Sequence, residues 1–165
     1  MSGVNIQSAI DKNSKVMQQT ITWNGKNIKL KDSFSILSMP LRKFPAAFQL
    51  ETGEKEMFPY RYYTLERLKT NRGVIADAGK DEINWNQEQF ESNLDRLNLR
   101  LDGKYFDMIR YAVFYCEQDV RILKEGFDKF RQLTLQDPIN LDVDDFISAP
   151  SIANGFFTKH IYTNH

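Results

Sequence analysis

A tyrosine and an aspartate four residues apart, Tyr115 and Asp119, form the pair whose types and spacing are best suited to chemistry. On a helix, a spacing of four places both side chains on one face. The carboxylate can hold a divalent cation, and a phenol one turn earlier can orient a water molecule or a phosphate oxygen. Such a pair serves two-metal hydrolysis of a phosphodiester when further carboxylates complete the site. The alternative is an interfacial tyrosine beside a solvated aspartate.

The element that must position this pair is a long amphipathic helix, preceded by Asp102-Gly103 and ended by Asp137-Pro138. Apolar residues recur at alternating steps of three and four, which is typical of a buried helix face. They are Phe106, Ile109, Val113, Cys116, Val120, Leu123, Phe127 and Phe130. Since Tyr115 and Asp119 are displaced by one residue from this stripe, we predict that they lie at the rim of the core. Cys116 is predicted to be a buried small hydrophobic residue.

Composition limits the other kinds of site. One cysteine and two histidines allow neither an intramolecular disulfide nor a Cys/His zinc site. The 22 basic and 22 acidic residues balance, so contact with nucleic acid must be local rather than a matter of bulk charge. We expect a soluble intracellular chain without a signal peptide or membrane span.

The N-terminal third contains a hairpin pattern. Two β-rich runs, residues 16–23 and 28–36, flank Asn24-Gly25, the pair most typical of a two-residue hairpin turn. Pro40 and Pro45 then delimit a turn and a short helix, whose buried side is predicted to be Phe44, Phe48 and Leu50. Residues 1–14 are polar and small, and we predict a helix remnant or a frayed end.

The middle of the chain has weaker patterns. Residues 51–63 are predicted to form a loop that ends in an aromatic cluster, and residues 70–84 an exposed insertion. Asn86 is predicted to cap a helix that runs through Phe90, Leu94 and Leu97 and ends near Gly103. Asp142, Asp144 and Asp145 form an acidic stretch, which we interpret as a linker. The alternative is that Asp142 and Asp144 act as a pair of catalytic carboxylates.

Four collinear segments carry a resemblance to a known family. The segment from Tyr115 to Leu123 resembles the third exonuclease motif of that family. The segment from Lys31 to Leu41 resembles the strand and turn that follow the second exonuclease motif. The segment from Lys55 to Tyr60 resembles a Lys-x2-hydrophobic motif with a trailing aromatic residue, and that from Ser148 to Ala153 the entry to a polymerase region. Together they resemble family B DNA polymerases of the protein-primed type, found in viruses, plasmids, transposons and organelles.

The resemblance implies an α/β fold: an incomplete RNase H-like exonuclease domain with a β-hairpin and a long C-terminal helix. Residues 1–135 would be part of a 3′–5′ exonuclease domain, with an insertion at 61–103. Residues 136–165 would be a linker and the start of a polymerase region. The first two exonuclease motifs, Asp-x-Glu and Asn…Phe-Asp, and the polymerase aspartates are not found. We therefore expect a fragment of a DNA-directed DNA polymerase that is inactive alone.

The resemblance also assigns roles to residues. Asp119 would be a metal ligand, Tyr115 would orient the attacking water, and Lys55 would contact the scissile phosphate. Tyr60 would bind the 3′ end of single-stranded DNA, with Phe58 supporting its loop, and the parent enzyme would use Mg²⁺ or Mn²⁺. The alternatives are a solvated lysine for Lys55 and a minor core for the aromatic residues. Asp32, at the end of a strand, is expected to be structural.

Expected partners are a single-stranded DNA 3′ end and the rest of a polymerase or a terminal protein, with no membrane. An exposed sheet edge would also permit dimerisation by strand pairing. Two other interpretations stay open. One is a non-catalytic remnant that binds protein or single-stranded DNA. The other is a split enzyme whose first two motifs are encoded by a neighbouring reading frame.

Overall fold

The computed structural model describes residues 5–12, 15–52 and 55–162. It is a mixed α/β structure with two small antiparallel sheets and a long helix. The chain divides into two compact units: the described parts of Met1–Gln49 and Glu125–His165 form one, and those of Leu50–Lys124 form the other. None of the helices described is both long and apolar enough to span a membrane.

The first unit contains a three-stranded antiparallel sheet of β1 (Asn5–Lys12), β2 (Lys15–Trp23) and β3 (Lys26–Lys31), in that order. Asn24 and Gly25 both have positive φ, at 49° and 72°, as a type I′ turn requires, so the predicted hairpin is confirmed. The prediction for residues 1–14 is wrong where they are described, because residues 5–12 pair with β2. Residues 1–4 and 13–14 of that prediction lie outside the described residues.

The second β-rich run ends earlier than predicted. β3 stops at Lys31, and α1 (Ser33–Ile36) begins at once. Asp32 causes the change, since its carboxylate accepts the Phe34 amide at 3.1 Å and the Ser35 hydroxyl at 2.8 Å. Such an N-cap satisfies amides that a helix start leaves without intrahelical partners. Asp32 therefore has the structural role expected of it.

The predicted short helix is present as α2 (Phe44–Phe48), after a single 3-10 turn at Leu41–Lys43. Phe44 is buried, as predicted, and its ring packs edge-on against Phe48 with centroids 5.4 Å apart. Phe48 and Leu50 are half-buried. The helix ends at Gln49, which has a left-handed conformation at φ 51°.

The second unit contains α3 (Leu65–Thr70), β4 (Arg72–Val74), α4 (Gln87–Arg96) and β5 (Tyr105–Asp107), with β4 and β5 antiparallel. Asn86 caps α4 as predicted, accepting the Gln89 amide at 3.1 Å. The helix ends at Arg96 rather than near Gly103. The following residues turn back toward β5, because Asn98 adopts φ 53° and Arg100 forms a bridge with Phe106.

The core of this unit shows that the prediction of an exposed segment at residues 70–84 is wrong. Ile75 and Ala78 are buried within it. Gly73 lies against a core ring, since a Cβ added there would meet Phe106 Cε1 at 2.3 Å. Gly79 is likewise pressed against the Trp85 ring, so the segment packs on aromatic side chains at two points. The core consists of Tyr62, Ile75, Ala78, Phe90, Leu94, Leu99, Phe106, Met108 and Tyr111.

The long helix is α5 (Met108–Leu135), as predicted, but in its first half the buried face is not the predicted one. Between residues 108 and 122 the buried side chains are Met108, Tyr111, Tyr115 and Ile122. Cys116 is exposed, so the prediction that it is buried is wrong. The predicted stripe is exposed in this half of the helix: Ile109 is 49%, Val113 52% and Val120 64% exposed. Its later members, Leu123, Phe127 and Phe130, are half-buried. The helix carries two neighbouring apolar stripes, and the one with the larger tyrosine rings faces the core.

After α5 the chain packs back onto the first unit and ends in α6 (Ala149–His160). Ser148 and Ser151 cap this helix reciprocally. Val143 is fully buried, and Asp142 forms an ion pair with Arg131 at 2.6 Å. The acidic stretch therefore contributes to the packing of the unit.

Candidate functional site

The residues singled out in the sequence meet at one place in the second unit. Lys55 and Phe58 lie in an extended segment, and Tyr60 begins a 3-10 turn at Tyr60–Tyr62. Tyr115 and Asp119 face this segment from α5. The structure thus brings together all five predicted site residues, although 64 residues separate Lys55 from Asp119.

Hydrogen bonds to both helices hold the segment in place. The Tyr111 hydroxyl donates to the Met57 carbonyl at 2.6 Å, which ties the segment to α5. Glu56 accepts the Asn93 amide at 2.6 Å and the Arg96 guanidinium at 3.1 Å, which ties it to α4. Burial raises the pKa of Tyr111, so its hydroxyl stays protonated and continues to donate.

Lys55 and Asp119 form an ion pair among the five predicted site residues, which together we call the cluster. The Lys55 Nζ lies 2.8 Å from Asp119 Oδ1 and 2.6 Å from Oδ2, so one ammonium contacts both carboxylate oxygens. The side chains are only 23% and 25% exposed. The same ammonium lies 4.8 Å from the centroid of the Tyr115 ring. One positive and one negative group therefore lie beside the packed rings of Phe58, Tyr60 and Tyr115.

The Tyr115 side chain is buried, and its hydroxyl points toward Tyr60. That hydroxyl forms a hydrogen bond with the Tyr60 hydroxyl, whose ring stands edge-on at 5.9 Å. The pKa of Tyr115 is raised, first by burial, then by the hydrogen bond to Tyr60 and by the charge of Asp119. At neutral pH this phenol is therefore a hydrogen-bond donor and not a base.

Phe58 supports the two tyrosines. Its ring is half-buried, with centroids 4.6 Å from Tyr115, 5.0 Å from Tyr60 and 4.4 Å from Tyr63. Tyr60, in contrast, is 60% exposed. Tyr62 lies in the core of this unit, and Phe58 and Tyr63 pack against that core. Tyr60 is the member of the aromatic cluster whose ring is exposed, so a base or sugar could stack on it.

Sequence analysis missed three residues that position the site: Glu56, Asn93 and Tyr111. Tyr111 lies one turn before Tyr115 on the same face of α5, so helical spacing could have indicated it. Glu56 and Asn93 are 37 residues apart, and no local pattern links them. The other aspartates discussed above, Asp32 and Asp142, belong to the other unit.

The donor atoms of the five residues of the cluster determine whether they can hold a metal ion. In the part of the chain that the structure describes, no group of three or more His, Cys, Asp or Glu side chains is placed to hold a metal ion. Both oxygens of Asp119 are occupied by Lys55. A two-cation centre needs several oxygen ligands, so the described residues by themselves do not fit one.

Comparison with known proteins identifies the family. A family model described as DNA polymerase type B, organellar and viral, matches residues 2–165. Neither the curated proteins nor the solved structures include a match. The matched region covers both compact units and confirms the resemblance to family B polymerases. The chain belongs to the organellar and viral type B DNA polymerases.

Proposed function

We propose that this chain is part of the 3′–5′ exonuclease region of a protein-primed type B DNA polymerase, and that its fold is a partial RNase H-like domain. Family membership supports a role in DNA replication. The observation that carries the finer proposal is the Lys55–Asp119 ion pair beside the hydroxyls of Tyr60 and Tyr115. These are the residues that the resemblance assigned to hydrolysis and to binding of the 3′ end.

Lys55 would recognise the terminal phosphodiester. Its ammonium is a compact charge that can exchange Asp119 for a phosphate oxygen without losing an ionic partner. Because the pair is partly buried, the attraction is stronger than it would be in bulk water. The same charge would stabilise negative charge that develops on the phosphate during hydrolysis.

Tyr115 and Tyr60 would orient the substrate around this contact. The raised pKa of Tyr115 keeps its proton in place, so the hydroxyl donates a hydrogen bond to water or to a phosphate oxygen. The exposed ring of Tyr60 would stack on the last base or sugar of a single strand. Phe58, fixed against three tyrosines, would keep the Tyr60 loop in register.

The parent enzyme is proposed to use Mg²⁺ or Mn²⁺, with Asp119 as one ligand and further carboxylates from elsewhere. This chain alone is therefore expected not to degrade 3′-labelled single-stranded DNA when either cation is added. The measurement is product formation on a denaturing gel, with Asp119→Ala as the control. Robust digestion by the chain that disappears in Asp119→Ala would overturn the claim that its site is incomplete.

A second candidate is a non-catalytic module that binds single-stranded DNA or protein. The contact of one ammonium with both Asp119 oxygens favours it, since Lys55 already supplies the counterion of this carboxylate and no metal ion is needed for that. The two candidates differ in whether DNA binding requires a free 3′ end. The exonuclease-derived site should require one, whereas a general single-strand module should not.

A further inference from the structure

The outer face of α5 in the second unit is an apolar groove that the proposed site does not use. Ile109, Val113, Cys116 and Val120 form its floor, and Leu68 of α3 lines one side. Its volume is about 740 Å³. Contiguous apolar surface of this kind usually marks an interface.

The spacing of the floor residues indicates that the occupant is a helix. They follow one another at steps of four, three and four. This is the heptad spacing of a coiled-coil seam, with Val113 and Val120 at one core position and Ile109 and Cys116 at the other. Such a seam accepts the side chains of a second helix between its own.

The charges beside the seam indicate which helix fits. Arg110 and Glu117 are exposed and lie seven residues apart, each following a core position. In an antiparallel pair, equivalent flanking positions face each other across the seam. Arg110 would then face the partner's Glu117, and Glu117 the partner's Arg110. A two-fold interface requires this self-complementarity, in which each contact occurs twice.

The apolar residues match in the same register. With the two-fold axis near Phe114 and Tyr115, Ile109 packs against the partner's Val120, and Val113 against the partner's Cys116. A parallel pair would instead place Arg110 and Glu117 on positions that do not face each other. Within the described residues, neither side chain forms an ion pair in its own chain.

We propose that this groove is the interface of an antiparallel homodimer, formed by α5 of two copies of this chain. The seam is about three helix turns long, which is smaller than a standard interface of about 1,600 Å². The dimer therefore forms reversibly, and its population rises with protein concentration. This inference is independent of the proposed exonuclease origin.

Sedimentation velocity of the full chain over a concentration series tests the interface. We expect a monomer–dimer equilibrium that Val113→Asp weakens by about tenfold or more, because each copy would bury a charge in the seam. The matched control is Ile83→Asp, at an exposed apolar residue outside the groove, which leaves the equilibrium unchanged. Circular dichroism verifies that both variants fold. A chain that stays monomeric throughout, or a dimer that Val113→Asp leaves intact, overturns the proposal.

Charge exchange tests the orientation. Arg110→Glu and Glu117→Arg should each weaken the dimer several-fold, and the double variant should restore it. Cys116 is the only cysteine, so a short bismaleimide should link two wild-type copies through it. A double variant that is weaker than both single variants would overturn the antiparallel register. Capture of a different helical partner without self-association would likewise contradict the homodimer.

Discussion

Lys55 contacts both the carboxylate of Asp119 and the ring of Tyr115, so we expect its charge to contribute to stability in addition to its proposed role in binding. Lys55→Met keeps the aliphatic stem but leaves a partly buried carboxylate without its counterion. We expect a loss of about 1–2 kcal/mol in the free energy of unfolding, between the values for exposed and buried pairs. Chemical denaturation at neutral pH measures it.

The matched control for this variant is Lys69→Met. Lys69 also pairs with a carboxylate, that of Glu66, but both side chains are largely exposed. An exposed pair contributes little, so stability should hardly change. Equal effects of the two substitutions would contradict the special environment of Lys55.

The buried tyrosines make stability sensitive to alkaline pH. The pKa values of Tyr63, Tyr111 and Tyr115 are all raised, chiefly by burial. Above a pH of about 10 the unfolded chain loses phenolic protons that the folded chain retains. The stability that these three tyrosines contribute is therefore complete below that pH. As the pH rises above it, the free energy of unfolding falls. Tyr115→Phe should reduce the slope in denaturation experiments, and an unchanged slope would contradict the raised pKa.

At the scale of elements, α5 depends on a glycine within its sequence. A glycine to alanine change in a helix interior normally stabilises by roughly 0.5–1 kcal/mol. In Gly126→Ala, however, the new Cβ would lie 2.3 Å from the Phe44 ring, so α2 would have to shift. We expect a net decrease in melting temperature.

Gly103→Ala is the matched control for this prediction. A Cβ at Gly103 meets no atom within 4 Å, so its melting temperature should stay within a degree or two of the wild type. A Gly126→Ala variant that melts above the wild type would show that Phe44 does not pack against the helix as described.

The elements also show what the sequence could predict. The Asn24-Gly25 turn and the Asn86 cap were predictable because the chemistry of one or two residues determines each backbone conformation. The length of α5 followed from its period. The buried face of its first half did not, because two apolar stripes lie side by side there and only the surrounding rings of Phe58 and Phe90 decide between them.

Tertiary pairing accounts for the other errors. Residues 5–12 are mostly polar, and they form a strand because β2 supplies backbone partners. Ile75 and Ala78 are buried because they pack in the same core as Phe90 and Phe106. Their own segment has no periodic pattern of apolar residues that would have indicated this. The site residues were identified by resemblance, whereas their anchors Glu56 and Asn93 depend on contacts between distant segments.

At the scale of the whole molecule, one aromatic core supports the site in the second unit. Phe90 is fully buried, with its ring centroid 5.2 Å from both Phe106 and Tyr111. Phe90→Ala should cost about 3–5 kcal/mol in the free energy of unfolding. Leu101→Ala, at a half-exposed residue, is the control and should change stability by less than about 1 kcal/mol. A small effect of Phe90→Ala in denaturation would contradict this core.

A comparison of DNA affinities shows whether Lys55 and Tyr60 form a site for the 3′ end of a single strand. Fluorescence anisotropy would measure binding of the chain to a labelled linear single strand, with a circular single strand as competitor. We predict that a free 3′ end is required, and that Lys55→Met and Tyr60→Ala each remove this preference while the chain stays folded. Equal affinity for linear and circular strands, unchanged in both variants, would contradict a site built for the 3′ end.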